Sequence, residues 1–222
     1  MKLLVTGSAG FIGFHIIKNL LNKKFTVFGV DNLNKYYDRN LKLKRLKMLK
    51  KYKKFYFNKL DISNFSALKK VYKKYKPDYV IHLAAQAGVR YSLKKPLEYT
   101  KSNLVGFSNV LECSRIFKIK HLLFSSSSSV YGNRKKFPLS ENNSLKPINL
   151  YANTKMKCEK ILLKFFKNKN IDLKIFRPFT VYGEFARPDM IFLTYLKRAS
   201  ENKDFYLFNK GNYLRDFTYV KD

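Results

Sequence analysis

No apolar run in the chain approaches the ~18 residues that a membrane span requires, and polar Thr6 and Ser8 interrupt the first apolar stretch. A membrane span and a secretory signal are therefore not expected. Cysteine is scarce as well. Cys113 and Cys158 are the only two, and their spacing matches neither a metal site nor a redox pair, so no metal and no disulfide framework are expected. A cytoplasmic location is the default that follows. Acidic residues are few, 15 Asp and Glu against 46 Lys and Arg, giving a net charge of +31 over 222 residues. That excess fits the electrostatic part of a nucleic-acid binder. The lysines, however, are scattered over nearly every predicted helix, and no nucleic-acid motif accompanies them. Asn, Phe, Tyr and Ile, which share A/T-rich codons with Lys, are abundant too. Solvated lysine faces explain the charge without a specific nucleic-acid partner, and attraction of a polyanionic substrate is a by-product. The apolar fraction of 45% provides for a core in one domain, or one domain plus part of another.

The organising stretch is KLLVTGSAGFIG, from Lys2 to Gly13. It reads as a buried strand over Lys2–Thr6, a glycine turn, and a helix from Phe11 to Leu21. Gly7, Gly10 and Gly13 recur at three-residue spacing, which lets the backbone approach a pyrophosphate while the helix N-terminus supplies free N–H groups. The spacing departs from the G-x-G-x-x-G of the usual dinucleotide motif, and a plain turn with Ser8 as helix cap is the competing reading. A second strand over Phe25–Val30 ends at Asp31, 18 positions beyond Gly13. That is close to the offset of about 20 at which a carboxylate meets an adenosine ribose, and such a carboxylate favours NAD over NADP.

Further strands are read at Lys54–Leu60, Tyr79–Leu83, His121–Phe124 and Leu173–Phe176. Helices are read at Phe65–Tyr75 (with Ser63 as cap and Pro77 as stop), Tyr99–Lys118, Tyr151–Lys167 and Ile191–Ala199. Leu41, Leu43, Leu46, Leu49 and Tyr52 form a loose helical stripe, expected to be a solvated amphipathic helix rather than a binding element. RPFTVYGEFARPDM reads as loop, and Phe205–Phe208 as a short strand. Strand–helix alternation implies an α/β fold, a doubly wound parallel sheet over residues 1–176, with 177–222 beginning a further lobe. Asp61 ends one strand and Ala84, Ala85, Ala87 and Gly88 follow another, where small side chains leave room for a cofactor. His82 is read as a core residue. The serines Ser125–Ser129 leave a strand at its C-terminal end, where sites lie in such folds. Tyr151 and Lys155 stand one turn apart on a helix face. A tyrosine hydroxyl ionises near pH ~10, and a nearby ammonium or an oxidised nicotinamide would favour the phenolate that a general base requires.

In this order the glycine turn, Asp31, Asp61, AAQAG, the serine run with VYG, and YANTK resemble the extended short-chain dehydrogenase/reductase family, in its sugar-nucleotide epimerase/dehydratase branch. VDNLNKYYD, HLAAQAGVRYS, SSSSVYG and FTVYG…RPDM resemble UDP-glucuronate 4-epimerases more narrowly. The resemblance covers essentially the whole chain. It implies a Rossmann-like fold and bound NAD, contacted by Gly7, Gly10, Phe11, Ile12, Gly13, Asp31, Asn32, Asp61, Ile62, Leu83, Ala84, Ala85, Gln86, Asn103 and Ser125. Pro178 stands beside the nicotinamide where relatives often carry tyrosine. The implied catalytic set is Ser127, Tyr151 and Lys155. Thr180 and Arg215 would meet the UDP phosphates, Arg187 and Arg90 the sugar end, and Ser127, Ser128 and Ser129 the substrate. Dehydratases of the branch carry an Asp–Glu pair before VYG, and decarboxylases a glutamate at the position of Ser129; hydroxyls here leave epimerisation as the expected chemistry. A neutral-sugar 4-epimerase (UDP-glucose) and a non-catalytic NAD-binding protein are the alternatives. RDFTYVKD resembles a segment that roughly a hundred further residues follow in the family. An incomplete substrate lobe, weak turnover of the 222-residue chain and a homodimer of the full-length protein are the corresponding expectations.

Overall fold

A computed structural model describes all residues except 168–169 and 213–214. Six strands, β1 (Lys2–Thr6), β2 (Thr26–Asp31), β3 (Phe55–Lys59), β4 (Tyr79–His82), β5 (His121–Ser125) and β6 (Asp172–Phe176), form one sheet. Its order is β3-β2-β1-β4-β5-β6, and every pairing is parallel. The order reverses between β1 and β4, so a crevice opens there at the strands' C-terminal ends. β1 and β2 are almost wholly buried, as expected of strands covered on both faces.

One covering layer holds α1 (Phe11–Asn22) and α2 (Arg39–Leu49). Phe14, Ile17 and Leu21 of α1 pack there with Leu46 and Leu49 of α2. The opposite layer holds α3 (Phe65–Tyr75), α6 (Phe107–Ile116) and α7 (Leu150–Phe166), joined through Leu68, Tyr72, Val110, Leu111 and Leu162. Two short helices, α4 (Val89–Lys94) and α5 (Pro96–Tyr99), and a π-helical stretch, Thr100–Gly106, lead into α6. Beyond β6 lie β7 (Thr180–Tyr182), α8 (Ile191–Ser200) and β8 (Phe217–Tyr219), with β7 and β8 paired in a second, parallel sheet.

Several local expectations are corrected. Asn64, not Ser63, caps α3, its Oδ1 accepting from Ala67 N–H at 3.0 Å; the Ser63 hydroxyl is turned to Asp61. The single helix expected over Tyr99–Lys118 is broken by the π-helical stretch. β7 falls in a segment read as loop, and its partner β8 lies 35 residues on, a pairing that periodicity within one segment does not reveal. Phe205–Phe208 is not a strand: Phe205 stacks on Tyr195 at 4.7 Å, and Phe208 opens a 3-10 turn. The helix α2 is not merely solvated. Leu43 points outward (42% exposed), while Lys42 and Arg45 are 5% and 0% exposed.

One buried ion pair ties α7 to the segment that follows β6. Glu159 of α7, 1% exposed, receives Arg177 Nη2 at 2.8 Å and Nε at 3.1 Å, and Arg177 Nη1 donates to the Tyr131 hydroxyl at 3.0 Å. Removing one partner strands a charge in low dielectric. Arg177→Met is therefore expected to lower unfolding free energy by about 3 kcal/mol, checked by urea denaturation.

Candidate active site

The site begins at the β1–α1 turn. Gly7 adopts φ +72°, a left-handed conformation open to glycine, and a Cβ there would stand 2.8 Å from Ala84 N. A Cβ on Gly13 would lie 2.2 Å from the Gly7 carbonyl oxygen. The three-residue glycine spacing thus presses α1 against the turn and the turn against the end of β4. Gly10 is the N-cap of α1, and no side chain caps it. Ser8 is fully buried and donates its N–H to the Val30 carbonyl, so the reading of Ser8 as cap does not hold. The open N–H groups of the first turn remain available to an anion.

Thr6 continues the frame. Its hydroxyl accepts from Ala84 N–H at 3.1 Å and faces His82 Nδ1 at 2.7 Å. Burial pushes His82 down to about 3, so the ring is a neutral imidazole held in the core.

A cleft of about 340 Å³ runs from the β2 end, across the glycine turn, to the β5 end. At one end stand Asp31, Asn32 and Ile62. In the middle lie Gly7, Gly10, Phe11, Ile12 and Gly13, opposite Leu83, Ala84, Ala85 and Gln86. At the other end stand Ser125, Ser127, Tyr151, Lys155, Pro178, Thr180 and Arg187. Asp61 lines an adjoining hollow with Asn32 and Asn34. Burial alone would raise its pKa, but bonds from Ser63 and Asn32 with Lys101 nearby outweigh that and hold it below the usual carboxylate range. Asn103 is buried beneath the cleft. Its side chain accepts from Gln86 N–H at 2.7 Å and donates to the Gln86 carbonyl and the Thr154 hydroxyl, both at 3.1 Å, so it supports the cleft wall rather than lining it. Ser128 and Ser129 lie in the 3-10 turn Ser128–Tyr131, and neither is among the lining residues. Arg90 and Arg215 are exposed and stand outside the lining as well.

Three groups converge at the β5 end. Burial raises the Tyr151 pKa, while a hydrogen bond with Ser127 and the positive charge of Arg187 oppose the rise. Lys155, 3% exposed, donates to the Ser125 carbonyl at 2.7 Å. The sequence reading gave Lys155 the task of favouring the phenolate. In the structure Ser127 and Arg187 also favour it, while the Lys155 ammonium donates to the Ser125 carbonyl of β5. Arg187 is held by Asp189 through Nε at 3.0 Å and Nη2 at 3.1 Å, and Tyr36 donates to the same carboxylate at 2.8 Å.

Residues that the sequence reading did not place in the site are Asn34, Tyr36, Tyr37, Lys42, Ser126, Phe179 and Met190. The segment VDNLNKYYD carried the signal for the first three. Lys42 gave none, since one lysine among many looks solvated. Ser126 Oγ is buried without a hydrogen-bond partner and faces the cleft.

Comparison with known proteins follows from this geometry. Residues 3–222 match the model of the NAD dependent epimerase/dehydratase family. The chain belongs to this family. It is 45% identical to the protein CapI of Staphylococcus aureus over 223 residues, covering 100% of this chain and 66% of that protein. It is 43% identical to a UDP-glucuronate 4-epimerase of Thermodesulfobacterium geofontis over 220 residues, covering 99% of this chain and 68% of that one. It is similar to the crystal structure of the Bacillus cereus UDP-glucuronic acid 4-epimerase in complex with UDP-glucuronic acid and NAD, with TM-score 0.93 and 37% identity, over 99% of this chain and 69% of the other. The chain thus spans about two thirds of the length of these family members.

Burial lowers Lys155 from the ordinary 10.5 to about 8. Between those values the unfolded chain binds a proton there that the folded chain does not, so folded stability gains as pH rises from 8 toward 10.5. Lys155→Met should remove that gain, on the order of 2 kcal/mol between pH 8 and pH 10, measured as the wild-type-minus-variant difference in unfolding free energy at those two pH values.

Proposed function

We propose that the protein is an NAD-dependent isomerase that inverts C4 of a UDP-hexuronate, converting UDP-glucuronate to UDP-galacturonate through a transient 4-keto sugar. The observation that carries the reading is the placement of the Tyr151 hydroxyl, with Ser127 and Arg187 acting on it, at one end of a cleft whose middle is the Gly7–Gly13 turn. The similarity to UDP-glucuronate 4-epimerases supports the choice of sugar.

The residues fit a dinucleotide. The Gly7 cradle is one that a Cβ would fill, the first turn of α1 is uncapped, and a carboxylate stands at the β2 end. The first turn of α1 would hold the pyrophosphate and Asp31 the adenosine ribose, leaving the nicotinamide near Ser125 and Pro178. When bound, NAD supplies reversible acceptance of a hydride from the sugar carbon.

The chain's own residues handle the proton. Tyr151, as phenolate, takes the proton of the sugar 4-hydroxyl, and the Ser127 hydroxyl holds the same oxygen. Once the keto sugar has turned in the site, the reverse of that hydride acceptance would reach the other face of C4, and Tyr151 returns the proton to the 4-oxygen, giving the opposite configuration. The intermediate of a hexuronate is a β-keto acid, prone to lose its carboxyl group. Ser128 and Ser129 carry no acid of the kind that elimination or decarboxylation would use, and Arg187, which lines the cleft, contributes positive charge at the sugar end.

Three measurements test this reading. Incubation of the full-length protein with UDP-glucuronate, UDP-glucose and UDP-N-acetylglucosamine, followed by chromatography of the products, should give the C4 epimer of the acidic sugar alone; conversion of a neutral sugar with none of the uronate would overturn the assignment. Tyr151→Phe should lose roughly three orders of magnitude in turnover while binding NAD as before. In Arg187→Gln the acidic limb of the kcat profile should move to higher pH, since the phenolate loses a favouring positive charge.

A further inference from the structure

Two cations of α2 face inward. The role of Arg45 is visible in its partners: it donates to the Ala9 carbonyl at 2.8 Å, the Tyr37 hydroxyl at 2.6 Å and the Phe185 carbonyl at 2.5 Å. It therefore straps the dinucleotide turn to the segment that carries Arg187. Lys42 is different, because it lines the cleft itself. Its ammonium donates to Asn34 twice, to the carbonyl at 3.1 Å and to Oδ1 at 2.6 Å. Asn34 Nδ2 in turn donates to Gln86 Oε1 at 3.3 Å, so the contact reaches across the crevice from the β2 side to the β4 side.

Beside this hub sits Asp31, 8% exposed. Its Oδ2 accepts from Ala9 N–H at 3.1 Å and its Oδ1 from Leu33 N–H at 2.8 Å. An ionised carboxylate has about four lone-pair sites; two serve the backbone, and two remain for a vicinal diol. A protonated carboxyl group would turn one of those acceptor sites into a donor and give up the charge that strengthens the bonds. Burial is the largest influence on Asp31 and pushes its pKa up; the Lys42 charge is the largest opposing influence, ahead of the two N–H bonds and Arg45. The Tyr37 hydroxyl also faces Asp31, and Arg187 faces Lys42.

We propose that Lys42 is a positioning residue for the adenosine end of the dinucleotide: it locks the loop after β2 through Asn34 and supplies the counter-charge that keeps Asp31 an anion facing the ribose hydroxyls. The proposal deepens the NAD-binding reading above and rests on it. It also differs from a packing role, which the cation over the Tyr37 ring at 4.8 Å would fulfil at any pH.

The test is NAD affinity of the full-length protein, by titration calorimetry at pH 6 and pH 9, for the wild type, Lys42→Met, Lys42→Arg, Asp31→Asn and the Lys42→Met/Asp31→Asn pair. Lys42→Met should bind NAD about tenfold more weakly at pH 6, the equivalent of one pKa unit, and the deficit should shrink severalfold at pH 9, further above the carboxylate range. Lys42→Arg keeps the charge and should show no such pH-dependent deficit. In the Asp31→Asn background, Lys42→Met should cost little more and lose its pH dependence. A Lys42→Met deficit equal at both pH values, or none at all, overturns the proposal. Failure of the wild type to bind NAD at either pH would instead overturn the reading on which it rests.

Discussion

The approach of the Gly7 turn to the β4 end is the constraint on which the rest of the structure depends. With Gly7 at φ +72° and Ala84 N within 2.8 Å of where a Cβ would stand, β1 and β4 can part their crossovers to opposite faces and still keep their C-terminal ends in contact. That contact is the floor of the cleft. The Thr6 hydroxyl, shared between Ala84 N–H and His82, fixes it from below. Helix α1 starts at the same point without a side-chain cap, so its free N–H groups and positive end face the space that the glycines leave open. Packing and anion affinity thus have one cause, the absence of side chains at the turn.

From this floor a chain of hydrogen bonds runs under the whole cleft. Lys42 holds Asn34, Asn34 reaches Gln86, Asn103 grips the Gln86 backbone, and Asn103 also bonds Thr154. Thr154 donates to the Tyr151 carbonyl at 2.7 Å, so the chain ends on the helix that carries the proposed base. Buried polar groups are costly unless partnered, and here the partners come from α2, the loops after β2 and β4, the π-helical stretch and α7. The adenosine end and the catalytic end are therefore fixed relative to one another by satisfied polar groups as well as by the apolar layers. The π-helical stretch Thr100–Gly106 belongs to the same arrangement, since it carries Asn103, whose carbonyl also receives Cys158 Sγ at 3.1 Å.

Much of this was legible in the residues. The six strands of the main sheet and the helices α1, α3, α7 and α8 are within a residue or two of the expected bounds, because their apolar runs and periods are unmixed. The glycine turn, Asp31, Ser125–Ser127 of the serine run, Tyr151 and Lys155 do meet in one cleft. What was not legible involves long-range partners. The β7–β8 pairing joins two three-residue strands far apart in sequence. The inward turn of Lys42 and Arg45 depends on Asn34, Tyr37 and Phe185 being there to receive their charges, and in a chain with 46 basic residues nothing local marks those two. The added contacts of Tyr151 and Lys155 were hidden for the same reason. A Tyr-x-x-x-Lys spacing places two side chains on one helix face, but the carbonyl that captures the ammonium comes from β5.

The sequence by itself therefore determined the strand–helix alternation, the parallel sheet, the dinucleotide turn and the kinds of side chain available for proton transfer, since each follows from periodicity or from glycine spacing within a short segment. Only the tertiary structure decided which charges are buried, which cation acts on Tyr151, and how Asp31 is held beside Lys42. Those outcomes depend on desolvation and on partners from other elements. Both are properties of the space between segments, and no single segment encodes them.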